Sequence, residues 1–418
     1  MRHILSIFFV MISLNSFGGE VRMLDNGLKF ISIDRDFTET VSVSMFVKGG
    51  FFRESLEDSG IGNLFADVWV KSSPLLSKIE FYGGSVSASV SSDYLEVKIS
   101  TPYENLRYLF EDIRGFFLQP SFNEKIFNTE KLIVLKGIES IKDNPNLLAS
   151  LEFNKISYGS FPYAFNNAGS VDSVSKISLK DIEQYYKKHL PAMDTVVVVT
   201  GKFTTGDIQK LKDIFSRIPK GEKLIINCEG SSIEKSRSAE GTDSKIKQAK
   251  LFVGYDAPPV KSGEYIPMKI LSDIMGGGMS SLFFDKLRKE KGYAYSVGAY
   301  YPSKICNSRW VGYIGLDYKN VKDALKSMED ILSNTANVVT DEKIESVKNY
   351  VLGKILTESQ TNAKIGWYAG FFETIGLGYD FMDKYVELIR KVTKDDIERA
   401  SKLLLSKNRV TYVLKPEE

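Results

Sequence analysis

Residues 181–200 read DIEQYYKKHLPAMDTVVVVT, and residues 396–414 read DIERASKLLLSKNRVTYVL. Each stretch predicts an amphipathic helix opened by an acidic cluster and followed by a strand rich in β-branched residues. The likeness places one design twice in the chain. A second match supports it. Ser85 to Ser100 (SVSASVSSDYLEVKIS) alternates like paired strands and is followed by ENLRYLFEDIRGFF, whose apolar residues fall at helical spacing. Tyr295 to Leu316 again reads as strands, followed by the helical pattern KNVKDALKSMEDIL. A strand pair and then a helix at equivalent places in both halves predicts an α+β protein of two homologous domains, each an antiparallel sheet with helices packed on it.

The boundary is expected near 226–246. NCEGSSIEKSRSAEGTDSKIK is polar, rich in Ser, Gly and charge, and has no apolar period, which is linker composition. Domain one then spans 19–225 and domain two 247–418.

Composition narrows the function classes. The 418 residues are 43% hydrophobic and 12% aromatic, enough for a real core, and 418 exceeds one ordinary domain. With 55 basic and 53 acidic residues the net charge is +2, so nothing electrostatic points to nucleic acid or an anionic membrane. Residues 1–18 read as a secretory signal: Arg2 and His3, then an apolar run from Ile4 to Leu14 too short to span a bilayer, then Ser16-Phe17-Gly18. Cleavage is expected after Gly18, with release into the periplasm or outside the cell. No later stretch is long and apolar enough for a membrane span. Two cysteines, Cys228 and Cys306, remain after export, and the sequence leaves their pairing open. Of the two histidines, His3 leaves with the signal and only His189 remains. A catalytic zinc generally takes at least two imidazoles, so composition argues against a His-based zinc site.

Two motifs carry the chemistry. Residues 49–69 read GGFFRESLEDSGIGNLFADVW. This segment resembles the active-site region of the M16 (pitrilysin-like) peptidases, where a glycine-rich strand end and an acidic stretch precede a helix bearing H-x-x-E-H. In that motif two histidines four apart share a helix face and bind zinc, while the glutamate activates water. Here Asn63, Ala66 and Asp67 stand at the three motif positions, and Gly137 stands where the family's third zinc ligand lies, one E-x6-E spacing after Glu130. The resemblance therefore implies no metal in this chain. The helix is then expected to be a core element packing Ile61, Leu64, Phe65 and Trp69.

Residues 276–297 read GGGMSSLFFDKLRKEKGYAYSV. Family members carry a similar stretch: a glycine-rich turn, a helix, then R-x6-Y, which Arg288 and Tyr295 reproduce. Ser280 or Ser281 is expected to cap the helix and Gly292 to end it. The resemblance implies that Arg288 and Tyr295 hold substrate and stabilise the oxyanion, since both donate hydrogen bonds. Read without it, they are an exposed arginine on a polar helix face and a packed strand tyrosine. Gly276, Gly277 and Gly278 either approach substrate or form only the turn into the helix. Tyr158-Gly159-Ser160-Phe161-Pro162-Tyr163 is similar to the family's Tyr-Gly-x-x-Pro loop.

A broken zinc motif beside an intact Arg/Tyr segment implies the non-catalytic subunit of a heterodimeric M16 metallopeptidase. The partner is expected to be an H-x-x-E-H homologue holding the zinc, and the substrate an unstructured peptide. The alternative is an inactive M16-fold scaffold or binding protein, as family relatives serve in a respiratory complex.

Overall fold

Both halves of the chain thread their strands along the same path. The computed structural model describes residues 18–417; the expected signal up to Phe17 lies outside the described residues. The first half supplies β1 (Glu20–Met23), β2 (Lys29–Asp34), β3 (Thr40–Lys48), β4 (Ser85–Val90), β5 (Tyr94–Pro102) and β6 (Thr195–Gly201). They form one sheet in the order β1-β2-β6-β3-β5-β4. The second half supplies β7 (Arg237–Asp243), β8 (Ala249–Ala257), β9 (Ser296–Tyr300), β10 (Ser308–Leu316) and β11 (Arg409–Pro416), in the order β7-β11-β8-β10-β9. Set β1 aside and the two orders are the same. Even the exception repeats: β2 runs parallel to β6, and β7 parallel to β11, while every other pair is antiparallel. The expected duplication is therefore present in topology.

The helix–strand repeat is built as expected. Leu179–His189 and Lys394–Leu405 are helices, and each begins with a capping box, Ser178 with Asp181 and Thr393 with Asp396. The acidic residue that opens each stretch thus bonds back to the cap, worth about 1 kcal/mol per helix. The strands that follow, β6 and β11, sit inside their sheets. All seven residues of β6 are buried, which explains its unbroken Val196 to Val199 run.

The segment 226–246, expected as linker, contains strand β7. This strand pairs only with β11 and lies at the sheet edge, with no fully buried residue. An edge strand needs no apolar face, so Arg237, Glu240 and Asp243 gave no strand pattern. The single helix expected over ENLRYLFEDIRGFF is two, Tyr103–Leu106 and Phe110–Leu118, divided by tight turns at Tyr108 and Leu109.

Six further helices matter for the site. They are α1 (Ile61–Ser72), α2 (Glu124–Ser140), α3 (Pro145–Tyr158), α4 (Tyr265–Gly276) and α5 (Asp341–Glu358); α6 (Asn362–Thr374) completes the set. Two of them cross between halves. α3, from the first half, packs on β8 and β11, and α6, from the second, packs on β3 and β6. The contacts are close. A Cβ at Gly254 would lie 2.2 Å from the Phe153 ring, and one at Gly370 would lie 2.2 Å from the Phe46 ring. The halves therefore share core: Ile31, Phe46 and Val198 belong to one buried cluster with Leu251, Ile270 and Ile365. Buried Arg309 adds a polar tie, donating to the Ser157 carbonyl at 2.7 Å and pairing with Asp256 at 2.8 Å.

Candidate functional site

The helix that would carry zinc is α1. Ile61, Leu64, Phe65 and Trp69 are buried, as expected of a core helix, and Trp69 stacks on Phe116 with ring centres 4.4 Å apart. The acidic stretch before it has a definite task. Glu54 accepts hydrogen bonds from the amides of Gly60 at 2.8 Å and Gly62 at 3.2 Å, capping the helix start. Burial nevertheless pushes the Glu54 carboxyl up to about 7.

Asn63, Ala66 and Asp67 follow on α1. Ala66 is buried and offers no chemistry. Asp67 is half-buried; burial raises its carboxyl pKa, with Lys71 opposing and Glu130 adding to the rise. The residue that decides this region is Lys71, one turn beyond Asp67. Its Nζ lies 2.6 Å from Oε2 of buried Glu130 on α2. An ammonium thus neutralises the acidic residues that remain. Gly137, further along α2, presents open space: a Cβ there would meet nothing within 4 Å. An amide, a methyl, one carboxylate and a glycine do not make a tetrahedral zinc site. No group of three His, Cys, Asp or Glu among the described residues has the arrangement to hold a metal ion. The zinc of the fold family does not fit here. Reasoning from the motif positions alone missed Lys71; its i+4 placement after Asp67 was the available signal.

His189 lies elsewhere, at the end of the helix Leu179–His189, its ring 4.7 Å from that of Tyr185. Burial first, and Arg53 second, push it down to about 4, so it is a neutral packing residue near pH 7.

The Arg/Tyr segment is brought together. Arg288 Nη1 donates to the Tyr295 carbonyl at 3.1 Å, and its guanidinium sits 5.0 Å over the Phe284 ring. The Tyr295 amide in turn bonds the carbonyl of Gly315, in β10, at 3.0 Å. The backbone is thus fixed while the Tyr295 side chain stays 65% exposed. The expected helix differs in form. Phe284–Glu290 is a π-helical segment, with the Lys291 amide bonding the Lys286 carbonyl, five residues back. Arg288 lies within this widened turn. Ser281 Oγ accepts from the Phe284 amide at 3.4 Å, and Gly292 ends the segment at φ +68°.

The three glycines divide. A Cβ on Gly276 would collide with the Ala299 amide nitrogen at 1.7 Å, so this residue lets α4 close on β9. Gly277 faces a cavity, and Gly278 takes φ +143° with open space around it.

In the Tyr-Gly-x-x-Pro loop Tyr158, Phe161 and Tyr163 are buried, while Gly159 and Ser160 are exposed. Tyr163 donates to Asp93 at 2.5 Å and accepts from the Cys306 amide at 3.1 Å, beneath Lys304, whose Nζ is 4.3 Å from the ring centre. Cys306 is disulfide-bonded to Cys228, with Cα atoms 5.2 Å apart. The bond ties the segment between the domains to the β9–β10 connection.

Residues 29–164 match the model of the insulinase peptidases, family M16, and residues 176–351 match the model described as the peptidase M16 inactive domain. The chain belongs to the M16 family. It is 24% identical over 280 residues to the "Zinc protease PqqE" of Helicobacter pylori, covering 64% of this chain and 63% of that protein. To the "Non-peptidase homolog YmxG" of the same organism it is 20% identical over 391 residues, covering 89% and 88%. A protease from Helicobacter pylori of known crystal structure superposes with a TM-score of 0.87 at 19% identity, over 96% of this chain and all of that one. Within the family, this chain is one whose zinc-motif positions are replaced.

Proposed function

We propose that the chain is the non-catalytic subunit of an exported heterodimeric M16 metallopeptidase. Its partner carries H-x-x-E-H and the zinc. This chain lends Arg288 and Tyr295 across the dimer to the partner's site, where they hold an unstructured peptide and stabilise its carbonyl as it becomes an oxyanion. The observation that carries the reading is the contrast between the two motifs. Lys71 paired to Glu130 fills the failed metal region, whereas Arg288 is fixed to the Tyr295 backbone with the phenol left exposed. The second arrangement leaves a hydrogen-bond donor facing solvent, as a substrate-holding residue requires. The Cys228–Cys306 bond supports export, because disulfides persist in oxidising compartments. That one organism holds both a named zinc protease and a named non-peptidase homologue similar to this chain is consistent with a division of labour.

Reconstitution tests it. The mature chain is mixed with an H-x-x-E-H homologue from the same genome and resolved by size, and peptide turnover is followed. The proposal expects a one-to-one complex that cleaves peptide far faster than either chain alone. A partner equally active without this chain would leave the scaffold reading.

A further inference from the structure

The duplication carries the α1 region to a second place in the molecule. α1 lies against edge strand β4 and against α2; α4 lies against edge strand β9 and against α5. On α4, Lys269, Ser272 and Asp273 stand at positions i, i+3 and i+4 and so share one helix face, two residues further along their helix than Asn63, Ala66 and Asp67 are along α1. Lys354 stands as far along α5 as Gly137 does along α2. Lys269, Ser272, Asp273 and Lys354 are all polar, and they line a cavity of about 540 Å³. Trp367 and Phe371 of α6, stacked 4.8 Å apart, form an aromatic wall, with Lys364 Nζ 4.1 Å over the Trp367 ring. That size suits a small-molecule site.

The polar groups are unequally used. Glu358 is engaged: it accepts from the Tyr368 hydroxyl at 2.5 Å and faces Lys364 at 3.4 Å. Lys269 donates to the Tyr301 carbonyl at 2.7 Å, leaving two of its three protons available. Lys354 enters no hydrogen bond or ion pair among the described residues, and the Asp273 carboxylate has no cation within ion-pair distance. Burial raises the Asp273 pKa, and Lys269 and Lys354 are the cations that counter it. A cavity with a carboxylate and an ammonium that reach no partner at ion-pair distance, beside an aromatic wall, is complementary to a molecule bearing both charges and a flat side chain.

We propose that this cavity binds a small zwitterion with an apolar or aromatic side chain, namely a free amino acid or a peptide of a few residues. Asp273 takes its α-ammonium, Lys354 and Lys269 take its α-carboxylate, and Trp367 with Phe371 takes the side chain. The assignment does not depend on the heterodimer.

Trp367 is the natural reporter, since Trp69 and Trp310 are fully buried elsewhere. Its fluorescence is titrated in the intact mature chain with phenylalanine, alanyl-phenylalanine and alanyl-alanyl-phenylalanine, and with N-acetylphenylalanine and phenylalaninamide. Saturable quenching is expected with the unblocked probes. The length that binds most tightly separates amino acid from peptide. Blocking either end weakens binding about tenfold or more, the loss of one charge-assisted contact. Lys354→Met, at an exposed position, and Asp273→Asn, which keeps its shape, each weaken the unblocked probes to the same degree. Lys354→Met leaves phenylalaninamide unaffected, and Asp273→Asn leaves N-acetylphenylalanine unaffected. No saturable response at millimolar probe overturns the proposal. So does equal binding of blocked and unblocked probes, or insensitivity to both substitutions.

Discussion

Reducing the Cys228–Cys306 bond should lower the stability of the folded chain substantially, by an amount the structure sets. The bond closes a loop of 78 residues. In the chain-entropy picture, cross-linking a loop of that length restricts the unfolded ensemble by roughly 4.5 kcal/mol at 25 °C. Cys306 is buried against Tyr163, Tyr158 and Phe161, so the native state holds this end rigidly and gains little on release. The assay is guanidinium unfolding of the mature chain, oxidised and reduced, beside a Cys228→Ser/Cys306→Ala double variant that keeps the buried site apolar. The reduced protein and the variant should unfold at the same lower midpoint, about 2–4 kcal/mol below the oxidised form once native-state relaxation is included. A thiol titration of the untreated native protein should find no reactive cysteine. Coincident curves for oxidised and reduced protein, or two free thiols in native protein, would refute the reasoning.

Three further outcomes follow from the packing and the charges. Phe153→Ala removes the ring that packs against Gly254 and should cost roughly 3–5 kcal/mol, measured by denaturant unfolding; a loss confined to the first half would contradict the shared core. Glu54 has its folded pKa raised from 4.5 to about 7, so its contribution is present below pH 4.5 and lost as pH rises to about 7. His189 acts oppositely, losing its contribution as pH falls from 6.5 towards 4. Glu54→Gln isolates the first effect: relative to the natural chain it should gain up to roughly 3 kcal/mol between those two pH values, and a difference that is flat with pH would rule it out. Elemental analysis of the purified mature chain should find no stoichiometric zinc, given Asn63, Ala66, Asp67 and Gly137; one tightly held zinc per chain would reverse the reading of α1.

Much of the fold was legible because its signals are local. The repeated helix–strand unit could be read from Asp181 and Asp396, since capping boxes and buried β-branched strands depend on near neighbours. The same holds for α1, whose Ile61, Leu64, Phe65 and Trp69 keep a helical period. What escaped depends on distant chain. β7 is stabilised by β11, about 170 residues later, and shows no apolar period of its own. α6 is buried nearly all round because it crosses onto the other sheet, so residues such as Ile365, Ala369 and Phe372 give no one-sided stripe. The pairing of Cys228 with Cys306 likewise follows from tertiary approach. At the site, the failed ligand positions and the Arg288–Tyr295 spacing were readable as motif departures and matches. Lys71 had a sequence signal in its i+4 placement after Asp67, but its pairing with Glu130 and the π-helical turn at Arg288 became visible only in three dimensions.

The central claim is that this chain completes a partner's active site. The most direct test measures peptide turnover by the reconstituted complex carrying Arg288→Ala or Tyr295→Phe, with assembly checked by size and zinc content checked in the partner. Losing one donor to a developing oxyanion typically lowers the rate by about 10²–10³. Each variant should therefore assemble, retain the partner's zinc and lose that much kcat, and Arg288→Lys should restore it only in part because an ammonium lacks the planar fork. Full turnover in both variants would contradict the claim and leave the chain a scaffold.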